Sequence, residues 1–203
     1  MKERLMEFCS SMGIEYVGIV SSGPYNDLRD FFESGISKGR EYPFDKGSLE
    51  KILDPSLNLE GAKSIIVCLF PYYCGTYEEA NLSKYAYGLD YHRIIQNKLD
   101  EIGKYLGENI NGFEYKAFAD TGPLNERYLA YKAGLGFYGV NSHLITDKYG
   151  SYVFIGYIIS NYYFEPDKPQ ERTCCKCNKC VKRCPGQCIL GDFTINPFKC
   201  KSY

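Results

Sequence analysis

The chain has 203 residues, 44% of them hydrophobic, and a formal net charge of −1. Length and composition are those of a soluble globular protein with one sizeable core and a small appendage, and the charge argues neither for nor against nucleic acid. No apolar run reaches the roughly 18 residues of a membrane span, and Met1-Lys2-Glu3-Arg4 opens no signal peptide, so a cytoplasmic protein is expected.

Leu5, Met6, Cys9 and Met12 share one face of a predicted helix over 2–12, and Gly13 is a natural stop. Tyr16 to Val20 reads as a short buried strand. Leu28, Phe31, Phe32 and Ile36 recur at helical spacing. Residues 37–61 are weakly periodic and predicted to be mostly loop. Ser64 to Phe70 is the clearest strand, closed by Pro71. A helix over 90–109 carries Tyr91, Ile94, Ile95, Leu99, Ile102 and Leu106 on its apolar face. Phe113 to Ala119 reads as a strand. Thr121-Gly122-Pro123 then resembles a helix start, with proline in the first turn and an end near Gly134. His143–Thr146 and Ser151–Ile159 suggest a hairpin around Asp147-Lys148-Tyr149-Gly150. The expected class is therefore α+β, a mixed sheet with flanking helices rather than a doubly wound one. Asn161 to Pro169 reads as a linker. Residues 1–165 are expected to form the main domain and 166–203 a small cysteine module.

Seven of the ten cysteines lie between Cys174 and Cys200. Cys174, Cys177, Cys180 and Cys184 form C-x2-C-x2-C-x3-C-P. Two-residue gaps let neighbouring thiolates converge on one inorganic cube. The longer gap and the proline turn the fourth cysteine away, toward the other cluster of two-cluster ferredoxins. The spacing points to a [4Fe-4S] site. Its competitors are a structural zinc site, which more often shows two separated ligand pairs, and disulfides, which reducing compartments disfavour. Cys9, Cys68 and Cys74 read as inert packing or turn residues. Residues 170–203 carry a net charge of +5, leaving −6 for the remainder. That tail suits either cluster charge or phosphate. Twenty tyrosines and no tryptophan suit a mixed polar and apolar pocket, or reflect composition alone.

Several stretches taken together resemble the epoxyqueuosine reductase family. They are Gly61-Ala62-Lys63-Ser64-Ile65-Ile66, the run Lys84 to His92, Phe118 to Leu124, Ala133 to Asn141, Gly150-Ser151-Tyr152, the cysteine run, and Cys200-Lys201-Ser202-Tyr203. The resemblance implies a cobalamin-binding α+β domain followed by a ferredoxin-like domain, here incomplete. In the family, electrons from an external donor pass through two [4Fe-4S] clusters to cobalt. The reduced corrinoid then removes the epoxide oxygen of epoxyqueuosine in tRNA.

Residue by residue, Asp120 matches the family's proton donor, a carboxylic acid that has to keep its proton beside an apolar macrocycle. Read without the family, Asp120 or Thr121 equally suits the cap of a helix opening at Pro123. Gly134, Gly136, Gly139 and Asn141 are candidate cofactor contacts, since the glycines permit the close backbone approach that suits a flat cofactor, and they equally suit tight turn packing. Cys174, Cys177 and Cys180 match three ligands of the first cluster. Cys184 and Cys200 match two of the second, and Cys175 and Cys188 match none. His92 and His143, the only histidines, read as hydrogen-bonded structural residues ahead of metal ligands, and the family's corrinoid takes no histidine from the protein.

The sequence also departs from the family. Val140 stands where lysine is usual, and Tyr157 and Asn161 replace acidic residues. Two all-cysteine cubes need eight thiolates, while the tail to Tyr203 offers seven cysteines. The expectations are a truncated family member, a one-cluster protein in which Cys184, Cys188 or Cys200 completes the site, or a member completed by a partner. An electron-transfer module without catalysis and a plain zinc protein are the competing function classes.

Overall fold

The computed structural model describes residues 1–38, 49–76 and 82–202. In chain order it places α1 (Lys2–Ser11), β1 (Tyr16–Ser21), α2 (Asn26–Ser37), α3 (Leu49–Leu53), β2 (Ser64–Pro71) and α4 (Tyr91–Asn109). Then follow β3 (Tyr115–Ala119), α5 (Glu126–Lys132), β4 (Phe137–Tyr138), β5 (Leu144–Ile145), β6 (Val153–Ser160) and α6 (Lys179–Arg183). The main sheet has the order β1-β2-β6-β3. The α+β class with flanking helices holds, and within the sheet every neighbouring pair is antiparallel.

Strand periodicity builds two cores from one sheet. Ile65, Val67 and Leu69 of β2 join Tyr157 and Ile159 of β6 against Leu129 and Ala130 of α5. Ile66, Cys68 and Ile158 point the other way, against Leu5 and Cys9 of α1 and Ile95, Leu99, Ile102 and Leu106 of α4. Because both faces are covered, β2 reads as an unbroken apolar run instead of an alternating one. Gly156 lets α4 press onto β6, since a Cβ there would meet Ile95 Cγ2 at 2.7 Å. Ile94 lies off the buried stripe and is 42% exposed.

Four expectations are revised. The helix near Pro123 begins instead at Glu126, where the Asn125 side chain accepts the Tyr128 N–H at 3.1 Å. That side chain satisfies a first-turn donor, so residues 120–124 stay a loop. The turn at 147–149 forms, with Thr146 and Gly150 exchanging bonds of 2.8 and 3.1 Å. Its arms then diverge. β5 pairs with β4, while β6 runs between β2 and β3, where both of its backbone edges are paired. The 37–61 stretch includes α3 and a 3-10 turn at Pro55–Leu57, and residues 39–48 lie outside the described ones.

The passage 161–169 is tied down rather than linker-like. The Phe164 N–H donates to Ser64 Oγ at 2.8 Å, and its ring is 2% exposed. Asp167 donates its N–H to the Ile19 carbonyl at 2.9 Å and accepts the Ile19 N–H on Oδ2 at 2.8 Å. This strap covers part of the β1 edge, which would otherwise present unpaired backbone groups. Among the described residues no helix is long and apolar enough to cross a membrane.

Candidate active site and metal centre

The antiparallel register brings the end of β3, the end of β2 and the start of β6 to one rim of the sheet. Ala119 is paired with Gly156, and Phe70 with Phe154. The N-terminus of α4 arrives at the same rim. There the Asp90 carboxylate caps the helix, accepting the His92 N–H at 3.0 Å. Directly after β3, Asp120 sits in a tight turn closed by a 2.7 Å bond from the Thr121 N–H to the Ala119 carbonyl. Its φ is +64°, an uncommon conformation for a residue with a Cβ.

The Asp120 carboxylate is held from α4. Tyr91 Oη donates to Oδ2 at 2.8 Å, and His92 Nε2 lies 3.1 Å from the same oxygen. His92 Nδ1 lies 2.8 Å from Asp90 Oδ1, so the ring bridges two carboxylates. The Asp90 contact, followed by that to Asp120, raises the His92 pKa from its ordinary value. The His92 side-chain and backbone hydrogen bonds lower that of Asp90. Burial, then the bond to Asp120, pushes the Tyr91 hydroxyl well up, so it stays a donor at neutral pH.

Aromatic rings surround this group. Tyr91 stacks on Phe154 at 3.9 Å and on His92 at 4.0 Å, and Tyr72 packs on Phe154 at 4.5 Å. Tyr73, Tyr85 and Tyr152 extend the patch and are 40–48% exposed. The Asp120 side chain is itself 55% exposed. The rim is thus an open aromatic surface with an acid at its edge.

The loop carrying Asp120 is braced from beneath. Tyr157 is fully buried, and its hydroxyl accepts the Leu124 N–H at 3.1 Å. A side chain at Gly122 would strike that hydroxyl. Tyr157, which departs from the family pattern, is therefore a prop for this loop. Asn161 ties β3's approach, accepting the Glu114 N–H at 2.9 Å and donating to the Gly112 carbonyl at 2.9 Å. Val140 is buried at 1% exposure.

The space beside the three glycines of the 134–141 stretch is filled by the chain itself. A Cβ at Gly134 would strike the Lys168 carbonyl, and one at Gly136 would meet the Ile145 carbonyl at 2.7 Å. At Gly139 the Asn141 side chain and Ile145 occupy the room. This turn docks the cysteine module. Gln170 Nε2 donates to the Gly134 carbonyl and Ser142 Oγ to the Phe193 carbonyl, each at 2.7 Å. Arg172 pairs with Asp147 and covers the Phe137 ring.

Within the module, Lys176 and Asn178 take positive φ, turning the backbone back between Cys175 and Cys180. Such turns aim N–H groups inward, as in many iron–sulfur sites. The Lys179 N–H bonds to the Cys177 sulfur and lowers its pKa. Further along, Cys184 Sγ lies 3.4 Å from Cys188 Sγ and accepts the Cys188 N–H at 3.4 Å. That N–H, then the Cys188 thiol, draws Cys184 down to about 7. Burial, followed by Cys184, pushes Cys188 up to about 11. Among the described residues no three Cys, His, Asp or Glu side chains are gathered tightly enough for a single metal ion. Cys9 and Cys68 are buried in the core, whereas Cys74 is exposed.

His92 is hydrogen-bonded, as its sequence reading held, but its partners are the two carboxylates of this site. The available sequence signal was the Asp90-Tyr91-His92 triplet at a helix start, which places a cap and two site residues in one turn.

The family described as Epoxyqueuosine reductase QueG, DUF1730, matches residues 53–121. An epoxyqueuosine reductase from Bacillus cereus is 32% identical over all of this chain and 56% of its own length. A crystal structure of an epoxyqueuosine reductase with an epoxyqueuosine-modified tRNA-Tyr stem loop superposes with a TM-score of 0.88 at 32% identity, over 98% of this chain and 55% of that one. A Bacillus subtilis epoxyqueuosine reductase, with its catalytic aspartate loop swung out of the active site, superposes at 0.87 and 31% identity, over 98% and 55%. The chain therefore spans little more than half the length of such relatives. In fold, and in identity along its whole length, the chain is thus similar to epoxyqueuosine reductases.

Proposed function

We propose that this chain carries the reductive centre of an epoxyqueuosine reductase, with Asp120 as the proton donor and tRNA-borne epoxyqueuosine as substrate. The observation that carries the reading is the Asp120 carboxylate, exposed at an aromatic rim and gripped through one oxygen by Tyr91 and His92. Removing an epoxide oxygen as water takes two electrons and two protons. When bound, cobalamin supplies reducing cobalt, and the cysteine-held clusters bring its electrons from an external donor.

The residues present fit both groups. An exposed patch of rings beside an acid suits a flat, largely apolar macrocycle. A thiol-only donor set with inward N–H groups suits an iron–sulfur cluster. Cys174, Cys177 and Cys180 are the proposed ligands of a first cluster, and Cys184 and Cys200 of a second. Cofactor contact by Gly134, Gly136, Gly139 and Asn141 would run through backbone edges, because the room beside the glycines is taken. Both donors to Asp120 converge on Oδ2, so Oδ1 is the oxygen suited to hold the transferable proton. His92, hydrogen-bonded to the other oxygen, Oδ2, is placed to return a proton to the carboxyl group through that atom. The basic tail suits phosphate of the substrate, and a thiol-rich site suits the cytoplasm.

The test is anaerobic reconstitution with iron, sulfide and cobalamin, each counted per chain, followed by turnover on an epoxyqueuosine-containing stem loop. Asp120→Asn should keep both cofactors and lose at least about 100-fold in rate. A corrinoid-free, cluster-bearing product would favour an electron-transfer module instead. Stoichiometric zinc in a colourless protein would remove the redox reading altogether.

A further inference from the structure

Cys184 and Cys188 stand in contact, sulfur to sulfur, at 3.4 Å, and both are free thiols. The backbone holds them there. The Cys188 N–H donates to Cys184 Sγ at 3.4 Å, and the Gln187 N–H to the Cys184 carbonyl at 3.0 Å, curling 184–188 into a turn. The Asn196 N–H donates to the Cys188 carbonyl at 2.7 Å, and Ile189 bridges Ile195, so a returning segment pins the far end of that turn. A side chain at Gly186 would strike the Lys199 carbonyl, which packs against the middle of the turn. Cys188 is 6% exposed, whereas Cys184 is only half-buried. The contact is too close for two thiolates on separate irons of one cube. A disulfide draws its sulfurs to about 2.05 Å, and the remaining gap is within reach of side-chain rotation.

We propose that Cys184 and Cys188 are a redox-sensitive pair, which glutathione disulfide converts to an intrachain bridge when no metal occupies Cys184. The Cys184 thiolate attacks one sulfur of glutathione disulfide. That S–S bond breaks, and one glutathione leaves with the proton that Cys184 gave up. Cys188, already in contact, then attacks the Cys184 sulfur of the mixed disulfide. It expels the second glutathione, which takes the Cys188 proton. Two thiols of the chain lose two electrons and two protons, and one glutathione disulfide becomes two glutathiones. An accessible thiol beside a resolving one is the arrangement of redox-sensing cysteines. On the cluster reading above, the bridge withholds a ligand of the second cluster until a reductant reopens it. Cluster loading then follows the thiol–disulfide poise of the surroundings. That consequence rests on the cluster reading, whereas the bridge itself does not.

The test takes the full chain, reduced and freed of metal with a chelator, and incubates it with glutathione disulfide. Remaining thiols are blocked with iodoacetamide before tryptic digestion and mass spectrometry. Cleavage after Arg183 and Lys199 releases residues 184–199, which hold Cys184 and Cys188 and no other cysteine. That peptide should be unalkylated and two hydrogens lighter than its dithiol form. Cys188→Ser should instead carry one glutathione on Cys184, and Cys175→Ala should bridge as the wild type does. Circular dichroism checks that each variant folds. The bridge should form faster in the native chain than in urea, and equal rates would overturn the role given to the fold. A wild-type peptide alkylated at both cysteines, or glutathionylated at Cys184 with Cys188 free, would overturn the bridge. On anaerobic reconstitution without thiol reductant, the bridged chain should take up fewer irons than the reduced one, by up to about four. Dithiothreitol should restore them. Equal uptake by both would overturn the effect on loading. A reduced chain that takes up no iron would overturn the cluster reading and leave the bridge standing.

Discussion

His92 Nε2 stands 3.1 Å from Asp120 Oδ2, and its other ring nitrogen stands 2.8 Å from Asp90 Oδ1. A neutral imidazole donates from one nitrogen only, so donating to both carboxylates requires the protonated ring. The contact joins the first turn of α4 to the turn after β3, 28 residues apart. It makes the orientation of Asp120 depend on the charge of its neighbour.

A pH dependence follows. His92 has its pKa raised in the fold, so its contribution is full below the unfolded value of about 6.5 and fades as pH rises through the higher folded value. Asp90 has its pKa lowered, so its contribution is present above about 3.9 and is lost as pH falls through the lower folded value. The clamp is strongest between those limits. Proton NMR should find the His92 midpoint above about 6.5, and Asp90→Asn should bring it down. A midpoint at or below the ordinary histidine value would rule the clamp out.

Tyr157→Phe removes the acceptor of the Leu124 N–H without changing the packing of the ring. A buried donor left unsatisfied costs about 1–3 kcal/mol. Urea denaturation should register that loss, and the Leu124 amide should exchange faster with deuterium. An unchanged exchange rate would show that Tyr157 does not brace the Asp120 loop.

Asp167→Ala strips the strap from β1, leaving the Ile19 N–H without its side-chain acceptor and Lys2 without its ion pair. About 1–3 kcal/mol of stability should go, mostly through the backbone donor. Lys2→Ala should cost less than about 1 kcal/mol, because its pair with Asp167 is partly exposed. Equal losses in the two variants would contradict this assignment.

On α4, two neighbouring apolar positions should behave differently. Leu99 is fully buried between helix and sheet, and Leu99→Ala should cost about 2–5 kcal/mol. Ile94 is 42% exposed, and Ile94→Ala should stay within about 0.5 kcal/mol. Thermal or urea melts of the pair would show whether the helix is seated on the face described.

The sequence by itself determined what depends on neighbours in the chain. The apolar stripe of α4, the unbroken run of β2 and the four-cysteine spacing were legible because helix period, strand period and ligand spacing are local properties. It also carried enough of the family pattern to single out Asp120. Only the tertiary structure decided the rest. β6 left its apparent hairpin because a central place in the sheet pairs both of its edges and buries its apolar run. The helix after Asp120 shifted because Asn125 caps it at a later turn. The clamp on Asp120 and the Tyr157 prop join residues through sheet register. No local pattern records such convergence, because burying both faces of one sheet is a property of the whole chain.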